Sequence, residues 1–206
     1  MRFMRRFMRI FFYLLYHPLA FLYDLVAAAV SFGRWKDWVM SILPLVHGRR
    51  VLELGHGPGH LQRVLRDRGL STFGLDESPQ MGRLARRKLG TDVKLARGLA
   101  QAMPFPDRSF DTIVSTFPTD FIFEQSTLHG IRRCLSDGGR LIVLPVSWPK
   151  SRLLQWLYRV TGESPSALED ALKLRIRKPF EHAGFYTEIQ VVDVKSGILL
   201  IVIASK

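Results

Sequence analysis

From Pro44 onward the chain alternates between short apolar, β-branched runs and stretches whose apolar positions recur every three or four residues. The first kind falls at Arg50–Leu54, Ser71–Leu75, Asp92–Ala96, Phe110–Ser115 and Arg140–Pro145, and predicts strands. The second kind falls at Leu61–Asp67, Pro79–Leu89 and Phe121–Leu135, and predicts helices. Such alternation predicts a parallel sheet with helices on both faces. After Ser147 the pattern changes. Residues 148–182 read as helical, and then Tyr186–Val194 and Gly197–Ala204 read as strands with almost nothing between them. A connection that short makes a hairpin, and hence an antiparallel edge. The expected fold is α/β: a doubly wound, seven-stranded, mostly parallel sheet with an antiparallel C-terminal strand.

The N-terminal segment follows a different pattern. At about 100° per residue, Arg2, Arg5, Arg6 and Arg9 share one narrow helical face. Phe3, Phe7, Ile10, Phe11 and Leu14 share the opposite one, and Phe12, Tyr13 and Tyr16 add rings suited to a lipid–water boundary. Residues 1–16 are therefore expected to lie in an anionic membrane surface. A helix packed on its own domain is the alternative. A single-pass span over Ile10–Phe32 and a secretory leader ending near Ala27-Ala28-Ala29 are lesser alternatives, weakened by His17, Pro18 and Asp24, which interrupt the apolar run. The expected division is an arm at 1–46 and a domain at 47–206, with residues 147–182 as a helical lid over the substrate.

Composition narrows this further. In 206 residues, 47% are apolar and 23% charged, values that exclude a disordered or fibrous chain. Cys134 is the single cysteine, so there is no intrachain disulfide and no cysteine-based zinc site, and no metal is expected. This suits a reducing, cytoplasmic setting. The excess of 30 Lys and Arg over 18 Asp and Glu gives +12, which favours a polyanionic partner, either nucleic acid or a membrane. Residues 1–50 carry half of that excess.

The first strand runs into Gly55-His56-Gly57-Pro58-Gly59-His60, and the second ends in Gly74-Leu75-Asp76. Glycines between a strand and a helix let the main chain turn tightly at the carboxyl edge of the sheet, where open α/β sheets bind ligands. Asp76, at the tip of the neighbouring strand, can accept bonds from both hydroxyls of a ribose. The loop reads G-x-G-x-G and has Glu53 two residues before it, so it departs from the G-x-G-x-x-G of dinucleotide folds.

The runs VLELGHGPGHL, GLDES and ARGLAQAMPFPDRSFDTIVSTF resemble the class I S-adenosylmethionine-dependent methyltransferases. Within them, they resemble the small branch that includes quinone and phospholipid methyltransferases. Leu135-Ser136-Asp137-Gly138-Gly139-Arg140-Leu141 and His182-Ala183-Gly184-Phe185 match the turns leading into strands five and six of that family, and the likeness begins near Tyr23-Asp24 and Gly33-Arg34-Trp35. The resemblance implies that Glu53 and the loop Gly55, His56, Gly57 and Gly59 hold the methionine end of S-adenosylmethionine. Asp76 would take the ribose, with Glu77 and Ser78 beside it. Met81, Ala100 and Gln101 would lie by the adenine, followed by Ala102 and Met103, and Ser115, Thr116 and Phe117 would face the sulfonium. Leu99 stands where the family commonly has an acid, and His56 and Pro58 stand where small residues are usual.

Methyl transfer needs alignment of two reactants more than it needs side-chain chemistry. A base is required only if the acceptor must lose a proton. Asp120, His56 and His129 are the candidates, with Asp120, just past the fourth strand, the best placed; its alternative role is a helix cap. The expectation is a methyltransferase peripheral to the inner membrane face, acting on a lipophilic or amphiphilic acceptor such as a quinone precursor, a phospholipid head group or an isoprenoid. An RNA methyltransferase and a non-catalytic S-adenosylmethionine-binding protein are the alternatives.

Overall fold

The computed structural model describes residues 34–149, 165–195 and 197–206. The expected amphipathic helix at 1–16 and residues 150–164 of the expected lid fall outside these residues. The elements are α1 (Trp35–Met40), a 3-10 turn (Leu43–Leu45), β1 (Arg50–Leu54), α2 (His60–Asp67), β2 (Ser71–Asp76), α3 (Pro79–Leu89) and β3 (Lys94–Arg97). A 3-10 turn (Ala100–Ala102), β4 (Phe110–Thr116), another 3-10 turn (Asp120–Phe123), α4 (Gln125–Cys134), β5 (Leu135–Pro149), α5 (Pro165–His182), β6 (Tyr186–Val194) and β7 (Gly197–Ser205) complete them.

The seven strands are ordered β3-β2-β1-β4-β5-β7-β6. The β3 to β5 pairings are parallel, and β7 runs antiparallel to both β5 and β6. The hairpin therefore forms one edge of the sheet, with the reversed strand second from the outside. Burial on both faces explains the continuous apolar runs of the inner strands, whereas β3 and β6 at the two edges are partly exposed. Alternate residues serve two cores. Leu52, Leu141, Val143, Leu200 and Val202 pack with Leu128 and Ile131 of α4 and with Ile176 and Phe180 of α5. Val51, Ile142, Leu144, Leu199 and Ile201 pack with Trp38 and Val39 of α1 and with Leu61 and Leu65 of α2.

Two segments differ from the sequence expectation. Trp38, Val39, Ile42 and Leu43, expected in the arm, are buried in the second core, so the stretch from α1 onward belongs to the domain. Strand β5 continues to Pro149, into a stretch expected to be helical, because β7 pairs with it as far as Gly197. Helix α3 matches its expected bounds for local reasons. Ser78 caps it by accepting a hydrogen bond from the Met81 amide (3.2 Å), Pro79 opens it, and Gly90 closes it at φ 87°.

Asp111, at the start of β4, anchors the start of β1. One carboxylate oxygen accepts from the Arg49 and Arg50 amides (2.9 and 3.0 Å), and the other accepts from the Arg50 guanidinium (2.6 Å). Those bonds, the guanidinium first, hold the Asp111 carboxyl well below the usual carboxylate range. The clamp fixes the amino end of β1 and so the height at which its glycine loop emerges.

Candidate active site

The carboxyl ends of β1, β2 and β4 lie side by side at the centre of the sheet, because β1 pairs with both others. The loop leaves β1 through Gly55, Gly57 and Gly59, all with positive φ (71°, 50° and 82°). At Gly57 only the backbone angle demands glycine, since a Cβ there would meet nothing within 4 Å. At Gly59 space demands it as well, because a Cβ would lie 2.8 Å from Leu89 Cδ1 and 3.2 Å from Ala85 Cβ. This close approach seats the start of α2 against α3.

Asp76 is oriented by two amides. Its Oδ2 accepts from the Gly57 amide and its Oδ1 from the Ser78 amide, each at 2.9 Å. Each oxygen keeps lone pairs for further donors such as a pair of vicinal hydroxyls. The Gly57 amide is thus directed to Asp76.

Glu53 lies beneath the loop, 2% exposed, and its Oε2 accepts from Gln62 Nε2 at 2.9 Å. Burial pushes its pKa up to about 8, opposed by the Gln62 bond and reinforced by the negative Asp76. Gln62 is itself buried and also donates to the Phe73 carbonyl (3.1 Å), tying α2 to β2 through the same amide. Gln62 is a site residue that motif reasoning does not find. The signal available was a polar residue on the apolar face of a helix directly after the loop.

The remaining expected residues divide into three groups. Met81, Ser115 and His56 are buried and bonded into the frame. Ser115 Oγ donates to the Leu54 carbonyl (2.8 Å), which joins β4 to the end of β1. The His56 ring lies against Gly74, where a Cβ would come within 2.8 Å of it, and its Nδ1–H donates to the Gly57 carbonyl (2.7 Å). Burial holds its pKa below the ordinary value, opposed by Asp76. His56 therefore shapes the turn from behind. Ala100, Gln101 and Thr116 are half-buried at the edge, and Gln101 Nε2 donates to Glu124 (3.0 Å). Glu77, Leu99 and Asp120 are exposed, Leu99 to 52%. Asp120 is the first residue of its 3-10 turn, whose N-cap is Thr119, so Asp120 does not stand at the cap position.

His129 is not at this edge. Helix α4 runs back along the sheet and carries it to a groove at the amino edge, lined also by Arg108, Arg132, His182, Gly184 and Lys206. The third candidate base is thereby removed from the site.

Phe117 follows β4 with φ 50°, an uncommon conformation for a residue with a side chain. Its amide donates to the Leu144 carbonyl (2.8 Å) and its ring packs on Trp38 with centroids 6.3 Å apart. From the next turn, Phe121 Cζ reaches within 3.9 Å of where a Gly55 Cβ would stand. Two aromatic rings thus flank the end of β4. The predicted single helix over 121–135 is split at Glu124, which has an extended backbone, so that Phe121 turns toward the loop and Phe123 packs on Phe180.

This donor set suits a nucleoside that also carries an ammonium. One fixed carboxylate matches a ribose, a second buried one matches the positive group, and the loop glycines let the main chain come close. The sequence profile of the family described as a methyltransferase domain matches residues 52–143. A demethylmenaquinone methyltransferase from Thermus thermophilus is 34% identical over 147 residues, covering 67% of this chain and 67% of that protein. The ubiquinone/menaquinone biosynthesis C-methyltransferase UbiE of Blochmanniella floridana is 31% identical over 156 residues, covering 69% of this chain and 61% of that protein. The chain thus spans 61–67% of the length of these two relatives. Among solved structures, an S-adenosylmethionine-dependent methyltransferase from Aquifex aeolicus superposes with a TM-score of 0.57 at 21% identity, over 82% of this chain and 88% of that one. That is a likeness of fold, and the sequence relatives carry the assignment further: this chain belongs to the class I S-adenosylmethionine-dependent methyltransferases.

Proposed function

We propose that the protein methylates a ring carbon of a quinone-type acceptor drawn from a membrane surface. The observation that carries this reading is the pair of half-buried rings that flank the end of β4, Phe121 beside Gly55 on one face of the sheet and Phe117, packed on Trp38, on the other. A flat, apolar ring gains contact with such aromatic edges, whereas a charged head group would lose its water there without gaining a partner. The names of the relatives from Thermus and Blochmanniella support the same acceptor class.

In this reading Glu53 receives the ammonium of the cofactor, Asp76 its ribose hydroxyls, and the half-buried Ala100 and Gln101 flank its adenine. When bound, S-adenosylmethionine supplies a methyl group on a positively charged sulfur that departs as a neutral thioether. The chain's own contribution is alignment. Gly55 and the end of β4 hold the two reactants in line, and Phe117 and Phe121 exclude water from the approach. An acceptor whose hydroxyl is ionised pushes electron density onto the ring carbon, which takes the methyl; its ring proton then leaves to restore aromaticity. Asp120, exposed at the mouth, is the carboxylate nearest in sequence to receive that proton. Residues 1–16 hold the protein at the lipid surface.

The test is transfer of labelled methyl from S-adenosylmethionine into a reduced demethylnaphthoquinone, with phosphatidylethanolamine and total RNA in parallel. Label in the quinol and loss of most of it in Phe121→Ala are expected. Label in RNA or phosphatidylethanolamine alone, or none with a cofactor that binds, would overturn the reading.

A further inference from the structure

Beyond residue 50 the net charge is concentrated on one part of the fold. Residues 98–206 are nearly balanced, with thirteen Lys and Arg against eleven Asp and Glu. Residues 60–97, which build α2, β2, α3 and β3, carry nine against four. These elements lie together at the β3 end of the sheet. Four of their arginines are ordered by main-chain carbonyls. Arg63 donates to Lys88 O (2.6 Å), Arg66 to Leu89 O (3.1 Å), Arg86 to Leu95 O (2.7 Å) and Arg97 to Glu77 O (3.2 Å). A carbonyl fixes a guanidinium without cancelling its charge. Arg83 and Arg87 lie one turn apart on the exposed face of α3, and Arg68 is exposed at the end of α2. The acids here, Asp67, Glu77 and Asp92, are also exposed, and Asp76 is committed to the loop.

Helix α1 packs on α2 within the same layer, through Trp38, Val39 and Leu61. The described residues thus begin, at Arg34, in the layer that bears the basic helices, and Arg2, Arg5, Arg6 and Arg9 precede that point in sequence. The other layer, α4 and α5, belongs to the balanced part.

We infer that the outer face of α2 and α3 is a docking surface for an anionic lipid bilayer, held there by Arg68, Arg83 and Arg87. The inference rests on the membrane half of the proposed function and names the face that meets the lipid. Arg63, Arg66 and Lys88 line a groove between the two helices together with Asp67 and Leu89, whereas Arg68, Arg83 and Arg87 lie outside it, and cations spread in that way over two helices suit a bilayer better than a small anion. Each cation near an anionic leaflet adds attraction that falls off within a Debye length, so the contact must weaken with salt.

The test uses the full chain in co-sedimentation with vesicles of 30% phosphatidylglycerol in phosphatidylcholine, and with pure phosphatidylcholine. The double variant Arg83→Glu/Arg87→Glu should lower partitioning at least tenfold, and Arg83→Gln/Arg87→Gln severalfold. Cofactor affinity should be unchanged in both, which also reports that they fold. The charge-matched Arg175→Glu/Lys178→Glu, on the opposite layer, should partition like wild type. Wild-type binding that both α3 variants retain would overturn this inference and leave the membrane reading standing. Failure of the wild type to bind would overturn both, whereas methyl transfer to a quinol is judged separately. Preferential binding of single-stranded RNA, lost in the α3 variants, would reassign the face to nucleic acid and overturn the inference as well.

Discussion

Replacing Glu53 by glutamine keeps the side chain's shape and an oxygen to accept from Gln62, but removes the carboxyl that burial holds at a pKa of about 8. In the unfolded chain that carboxyl returns to its ordinary value of 4.5. Between these two values the folded protein keeps a proton that the unfolded chain has lost. Stability from this group is therefore complete below pH 4.5, falls as pH rises toward 8, and levels off above it. A separation of that size corresponds to at most about 5 kcal/mol. Urea unfolding of wild type and Glu53→Gln at pH 5, 6.5 and 8 checks this: the variant should gain on wild type at each step upward in pH. The ammonium of the cofactor should in turn favour the carboxylate, so cofactor binding near pH 7 should release close to one proton in wild type and none in the variant. Calorimetry in phosphate and in Tris reads this difference directly. Parallel pH profiles for the two proteins, with binding heats that do not depend on buffer, would refute the buried-carboxyl argument.

Three other changes probe different parts of the frame. Gly59→Ala should cost roughly 2–3 kcal/mol, because it adds a clash with Leu89 and Ala85 to the left-handed backbone penalty, whereas Gly57→Ala should cost about 1 kcal/mol; equal losses in thermal unfolding would contradict the distinction. Asp111→Ala should destabilise by about 2–3 kcal/mol at neutral pH. The depressed Asp111 carboxyl gives its stability above pH 3.8 and loses it as pH falls further, so an acid-unfolding midpoint that the variant leaves unmoved would argue against the clamp. Cys134 is buried and its thiol is pushed up by burial, so iodoacetamide at pH 8 should label it only as fast as the protein opens; rapid labelling of the native protein would show that this helix end is loose.

The inner strands were legible because they are covered on both faces and read as apolar runs with turn residues at their ends; β1 and the half-exposed edge strand β6 have the very bounds that the pattern predicts. The glycine loop and Asp76 were legible because backbone angle and chemistry leave few substitutes there. Gln62 was not, since a buried polar side chain is explained only by a partner nine residues back in the chain. The two flanking rings were hidden for a similar reason: Phe117 and Phe121 differ from other phenylalanines only in where the chain turns after β4 and breaks its helix. The helix around His129 was legible but its place at the amino edge was not, because a helical residue's position along the sheet follows from the helix's direction and its distance along it. The arm was drawn too long because Trp38 and Ile42 serve the core of the domain from within a short helix that periodicity did not separate from the residues before it.

The place of β7 has a consequence for how this protein comes to be folded. Leu199, Leu200, Ile201 and Val202 are wholly buried, and they lie between two strands that precede them in the chain. Until residues 197–205 have left the ribosome, β5 presents an unsatisfied apolar edge and β6 has no neighbour to join. The parallel half can assemble as it emerges, but the sheet stays open on one side through all of that time. Chaperone contact or aggregation should therefore concentrate on β5 in shortened chains, and a chain cut before Gly197 should be insoluble whatever the state of its cofactor site.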